Sequence, residues 1–252
     1  MLSEKTELLL IGSPFQLKKL HMSSISVDNV EIKTTDHARN LGVLFDKHMS
    51  MNKHVNKMCQ NAYYNLRNIS KLRKSLSKDS IKTAVNALVT PHLDYGNGLL
   101  YGSSKQVINK LQVAQNSAVR LIEGLKRHDK VSRYRKELHW LPIPARIQFK
   151  LMTTTWKAVN NQAPQYLKRL IQLKPENDLN LRSNGKLLLE VPATQNQNKF
   201  EDRAFSYSCP TLWNGLPENV RKLKTLDNFK KRLKTYLFAN TTGISANRSK
   251  RK

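Results

Sequence analysis

Apolar and polar positions change period once, near residue 46, and that change organises the chain. Before it the pattern alternates. Glu7–Ile11 (ELLLI) is a short apolar run, and Ile25–Ile32 (ISVDNVEI) alternates on both sides of Asp28-Asn29, which predicts a hairpin. Leu41–Phe45 (LGVLF) reads as a third strand, with Gly42 permitting close backbone approach. After Asp46 the apolar residues Met51, Val55, Met58, Ala62, Leu66, Ile69 and Leu72 recur at spacings of three and four, which predicts one long amphipathic helix.

The helical pattern then continues to the end of the chain. Ser77 caps a second helix carrying Ile81, Ala84, Val85, Leu88 and Val89, ended by Pro91. A third spans about 104–124, with Val107, Leu111, Ala114, Ala118 and Ile122 on one face. Pro144 opens a fourth, Pro164 a short fifth, and Thr225 caps a last one bearing Leu226, Phe229, Leu233 and Leu237. Residues 174–200 are polar, with a strand expected at Lys186–Val191, and a disordered basic tail is expected over 241–252. The fold expected is mainly α with a small antiparallel β part at the N-terminus. Its regions are 1–46 (β), 47–92 (helical), 93–240 (basic and helical) and the tail. Trp140 and Trp213 read as core.

Charge narrows the picture to a class of partner. The 252 residues carry 44 Lys and Arg against 18 Asp and Glu, a formal net charge of +26. The excess is uneven, about +6 over residues 1–100 and +20 over 101–252. So large an imbalance of one sign points to a polyanion, and nucleic acid is the natural one. No apolar run has the length of a membrane span. The N-terminus lacks the pattern of a secretory signal. Cys59 and Cys209 form neither a CxxC nor a disulfide framework. A nuclear or cytoplasmic location follows, with the Arg248–Lys252 tail as a weak nuclear signal.

The long helix concentrates the charge. From Lys47 to Lys78 the sequence contains no acid and eight bases. On a helical wheel with Lys53 at about 0°, Lys57 falls near 40°, Arg67 near 320°, Lys71 near 0°, Lys74 near 300° and Lys78 near 340°. The apolar set lies opposite, at about 100–220°, and Arg73 alone departs, falling near 200° on the apolar side. A solvated helix face ordinarily mixes signs, because Glu and Lys support each other at i,i+4. A face of one sign costs a little stability and suits a phosphate backbone. Two further basic groups follow: Lys126 to Lys136, including Arg133, Arg135 and Lys136, and Arg221 to Lys234, including Lys230, Lys231 and Lys234. Tyr63 and Tyr64 are available for sugar or base contacts, and either fits the core equally well.

Catalytic motifs are missing from the sequence. Polymerases hold two metals between paired carboxylates, and the chain has no Asp-Asp pair; Glu201-Asp202 sits in a polar segment. No Walker A loop, GxGxxG or HExxH occurs. His48, His54 and Cys59 lack metal-ligand spacing. No cofactor is expected, and the oligomeric state is open.

Short stretches nevertheless occur in a specific order: Ser3–Glu7 (SEKTE), Leu41–Asp46 (LGVLFD), Thr90–Asn97 (TPHLDYGN), Leu111–Asn116 (LQVAQN), Leu138–Pro142 (LHWLP), Arg203–Phe205 (RAF), Pro210–Pro217 (PTLWNGLP) and Phe229–Phe238 (FKKRLKTYLF). In order and spacing the chain resembles the C-terminal part of the reverse transcriptase of LINE-type, jockey-like non-LTR retrotransposons. The resemblance implies the remnant of a palm edge, then a helical thumb and a helical C-terminal region. It implies that Lys5 is the lysine of the motif after the catalytic hairpin. Leu41, Gly42 and Val43 would belong to the primer grip, and the helices from about 48 to 92 would track the template-primer duplex. The metal-binding aspartates of that family have no counterpart here. The expected function is RNA or DNA binding without catalysis. Two other readings share the resemblance: part of an active RNA-directed DNA polymerase whose palm lies elsewhere, and a decayed transposon product with exposed strand edges.

Overall fold

A computed structural model describes residues 6–20, 22–175, 187–193 and 201–246. The chain is mainly helical with a small N-terminal β part. Its residues group into two units, one of Met1–Gly96 and Ser103–Arg127, the other of Asn97–Gly102 and His128–Lys252.

In the first unit, β1 (Leu8–Leu9) precedes a short helix α1 (Pro14–Lys19), then β2 (Ser24–Val27), β3 (Val30–Thr35), β4 (His37–Asn40) and β5 (Val43–Asp46). The expected hairpin forms with Val27 opposite Val30. Asp28 and Asn29 sit at φ 50° and 62°, the paired positive values whose twist matches the flanking strands. The ELLLI strand shortens to Leu8–Leu9 and pairs parallel to β3. The sheet β1-β3-β2 is therefore mixed, where an antiparallel one was expected. α1 was not expected, although its start is written in the sequence. Ser13 and Gln16 form a reciprocal capping box, and Pro14 occupies the first turn.

The third strand also needs correction. Leu41 and Gly42, at φ 46° and 80°, are the two-residue turn joining β4 to β5, so the strand starts at Val43. A Cβ on Gly42 would lie 3.1 Å from the Tyr95 hydroxyl, which itself donates to the Leu41 carbonyl. The strand pairs with β4 from Asn40↔Val43 to His37↔Asp46.

Helix α2 (Asn52–Leu72) is the long amphipathic helix. Its N-cap residue, Met51, has no capping side chain, and the loop leading into the helix is held by Asp46. The Asp46 carboxylate accepts from the backbone of His48 (3.2 Å), Ser50 (2.9 Å) and Met51 (2.8 Å) and from the Ser50 hydroxyl (3.1 Å). Partial burial raises its pKa, but these hydrogen bonds outweigh that and hold it below the usual value. Val55, Met58, Ala62, Leu66 and Ile69 are buried as expected, while Leu72, at the helix end, is exposed. A 3₁₀ turn (Arg73–Ser75) follows, then α3 (Lys78–Leu88), with Ser77 accepting from the Ser80 amide at 3.1 Å. Pro91 opens a further helix, α4 (Thr90–Asp94).

α5 (Lys105–Glu123) runs from Ser104 as N-cap to Gly124, a left-handed C-cap at φ 71°. It packs on α2. Lys110 near its start reaches Asn52 (3.4 Å) and Asn56 (2.8 Å) at the start of α2. Arg73, just past the end of α2, reaches the Leu121 carbonyl at 3.0 Å. The two helices therefore run in the same direction. α5 groups with α2 rather than with the region beginning at 93, where the sequence reading had placed it.

The second unit contains a 3₁₀ turn at Asn97–Leu100, α6 (Ser132–Glu137), α7 (Ile143–Val159), α8 (Gln165–Lys168), α9 (Phe205–Asn214), α10 (Glu218–Arg221) and α11 (Leu226–Ala246). α6, α9 and α10 were not expected. At the centre, Phe229 of α11 lies between Trp156 and Trp213, with ring centroids 5.9 and 5.8 Å away. Both indoles keep a hydrogen bond although fully buried: Trp156 donates to the Leu223 carbonyl (3.0 Å) and Trp213 to that of Leu187 (2.8 Å). Trp140 is buried too. The strand expected at Lys186–Val191 is reduced to one bridge, Leu189 to Leu173; Lys186 lies outside the described residues. α11 continues to Ala246, six residues into the expected disordered tail, and the remainder of that tail is outside the described residues.

Candidate nucleic-acid interface

The outer face of α2 carries Lys53, Lys57, Arg67 and Lys71, all exposed. Lys53 Nζ lies 3.1 Å from His37 Nδ1 and also acts on the Asp36 carboxylate, whose pKa it helps to lower, while Lys57 donates to Gln60 at 3.3 Å. Tyr64, 67% exposed, falls on the same face, near 20° on the wheel. Lys53/Lys57 and Arg67/Lys71 are like charges at i,i+4, each pair costing roughly 0.2–0.5 kcal/mol.

The stripe is shorter than the sequence indicated. Helical geometry ends at Leu72, so Lys74 lies in the 3₁₀ turn and Lys78 begins α3. Both are exposed, but neither continues the α2 row, because the chain direction changes between them. Lys78 is also bound to Glu123 at 2.6 Å. The exception on the wheel, Arg73, has a structural use. Its Nε caps a carbonyl in the last turn of α5, where backbone acceptors lack helical partners and the dipole favours a cation.

An open groove of about 680 Å³ flanks the row between α2 and α5. α2 contributes Tyr63, Leu66, Arg67 and Ser70 at helical spacing; α5 and its end contribute Ser117, Arg120, Leu121, Gly124 and Leu125, with Arg73 between. Its lining holds three arginines and no acid. Arg67 belongs to both row and groove. Sequence reasoning missed Arg120 and the use of Arg73. Only the pairing of α2 with α5 brings them together.

The basic residues of the second unit are more engaged. Arg133 is exposed but paired with Glu137 at 2.8 Å, which raises its pKa. Arg135 is half-buried, and burial lowers its pKa. Lys136 and Lys231 are exposed, whereas Lys230 and Lys234 are half-buried flanks of the apolar stripe of α11. Arg221 is buried and donates to the carbonyls of Asn214 (2.9 Å) and Leu216 (2.6 Å), closing the end of α9. It is a structural arginine.

Of the primer-grip-like residues, Leu41 and Gly42 form the exposed hairpin tip and Val43 is buried. Lys5 lies outside the described residues. His48 Nδ1 lies 3.1 Å from the Gly12 carbonyl, while His54 Nδ1 accepts from the Leu44 amide at 3.4 Å. The two imidazoles thus serve different loops. Among the described residues no group of three or more His, Cys, Asp or Glu side chains is placed to hold a metal ion. Among them no helix is long and apolar enough to cross a membrane. Compared with protein-family models, curated proteins and solved structures, the chain finds no match.

Proposed function

We propose that this chain binds RNA or DNA through the phosphate backbone, as the thumb and C-terminal region of a non-LTR retrotransposon reverse transcriptase would. The observation that carries the binding is the exposed, acid-free row Lys53, Lys57, Arg67 and Lys71 on α2. The row itself contains no carboxylate, Lys53 feels that of Asp36 in the neighbouring turn, and phosphates supply the rest of the countercharge. The retrotransposon origin rests on the ordered motifs of the sequence, from SEKTE to FKKRLKTYLF. Contacts from flexible lysines and arginines to phosphate read no bases, so binding is independent of sequence. Polymerisation chemistry is not assigned to these residues, since the sequence contains no Asp-Asp pair to hold the metals.

The test is an equilibrium titration of single- and double-stranded RNA and DNA of unrelated sequences across a range of salt. Log affinity should fall linearly with log salt, with a slope of roughly 0.7–0.9 per phosphate contact. Absence of binding at low salt, or affinity indifferent to salt, refutes the proposal.

A further inference from the structure

We infer that the α2/α5 groove holds one unpaired nucleotide of a bound strand, its phosphate at Arg67 and its base against Tyr63. The inference rests on the nucleic-acid reading and adds a site to it. The groove's volume, about 680 Å³, lies within the roughly 300–1,000 Å³ of small-molecule sites. Its walls are of two chemistries. Arg67, Arg73 and Arg120 supply positive charge, while Leu66, Leu121 and the 41%-exposed Tyr63 supply apolar and aromatic surface.

A bare phosphate would use only the first of these. It would also approach the C-terminal end of α5, whose partial negative charge opposes an anion. Arg73 offsets that charge at Leu121. A nucleotide uses both walls, since every base offers a π-face to an aromatic ring. The base must be unpaired, because stacking within a duplex already occupies its faces. Arg67 links the site to the α2 row, so a strand tracking the row delivers its next nucleotide to the groove.

The experiment is fluorescence anisotropy with a labelled single-stranded oligothymidylate, an abasic oligomer of equal length and a duplex. Each is titrated with wild type, Tyr63→Ala, Tyr63→Phe and, as a control on another helix, Tyr166→Ala. Loss of one stack should weaken oligothymidylate binding by roughly fivefold or more in Tyr63→Ala. Abasic and duplex binding should be unchanged, and Tyr63→Phe and Tyr166→Ala should bind as wild type. Equal affinity of Tyr63→Ala and wild type for oligothymidylate overturns the inference and leaves the proposed function standing. The same holds if Tyr63→Ala loses as much affinity for the abasic oligomer. Failure of wild type to bind any probe overturns both.

Discussion

Arg73 and Leu121 are joined by a hydrogen bond from the guanidinium Nε to the backbone carbonyl, 3.0 Å long. It ties the turn after α2 to the last turn of α5. Gly124 makes room for it. A Cβ there would meet Arg73 Nη2 at 2.2 Å, and the residue is held at φ +71°. Gly124→Ala should therefore destabilise the unit by roughly 1–3 kcal/mol, from left-handed strain together with displacement of Arg73. Denaturant titration followed by circular dichroism measures it; an unchanged midpoint would contradict both contributions.

His54 makes the same unit sensitive to acid. Its ring is buried between α2 and the β5 hairpin, and burial holds its pKa below the usual 6.5, the Tyr95 backbone pulling the other way. From pH 6.5 down to the lowered folded value, the unfolded chain binds more protons than the folded one. Stability should therefore be level above that window and decline as pH falls through it. His54→Gln, which keeps an acceptor for the Leu44 amide but does not titrate, should flatten the decline. The contribution of Asp46 is lost only below its ordinary value of 3.8. Midpoints from urea titrations at a series of pH values give the comparison, and parallel curves for wild type and variant would count against the assignment.

Phe229 joins two tryptophans in the second unit and is fully buried. Phe229→Ala should cost about 3–5 kcal/mol, the range for deleting a buried aromatic ring. Near-ultraviolet dichroism of the tryptophans should weaken with it. Retention of both the signal and the thermal midpoint would place the ring outside the core.

The two thiols should differ in reactivity. Cys209 is fully buried, and burial pushes its pKa up to about 11 against the opposing pull of Thr155 and Ser208. Cys59 is half-buried and also raised by burial, but Lys110 pulls it back. Iodoacetamide should label Cys59 slowly and Cys209 only after unfolding, as read by peptide mass spectrometry. Equal labelling of both in the native protein would contradict this packing.

What the sequence revealed was local. The core face of α2 follows from apolar spacing, the β2–β3 turn from Asp28-Asn29, and the span of α5 from its apolar positions. Each depends on neighbours within a turn or two. Ser77, read as a cap, already set Lys78 on another helix; the loss of Lys74 from the row was not legible, because the 3₁₀ turn at Arg73–Ser75 contains neither Gly nor Pro to announce it. α9 was missed because Pro210, inside the helix, argues against one. β4 was missed because His37–Asn40 has little apolar alternation. The groove was hidden for a different reason: Arg67 and Arg120 meet only after α2 and α5 pack, across some fifty residues of chain. Arg221 looked like one more surface base, and only its carbonyl partners reveal a buried structural role.

The binding claim is met most directly by replacing Lys53, Lys57, Arg67 and Lys71 with Gln together and repeating the salt titration. The slope of log affinity against log salt should shrink by roughly 0.7–0.9 for each phosphate contact removed, with affinity lost on RNA and DNA alike. Lys78→Gln, which removes a lysine already paired with Glu123, should change the slope far less. A quadruple variant with the affinity and slope of wild type would mean that the face of α2 is solvated surface and that binding, if present, lies elsewhere.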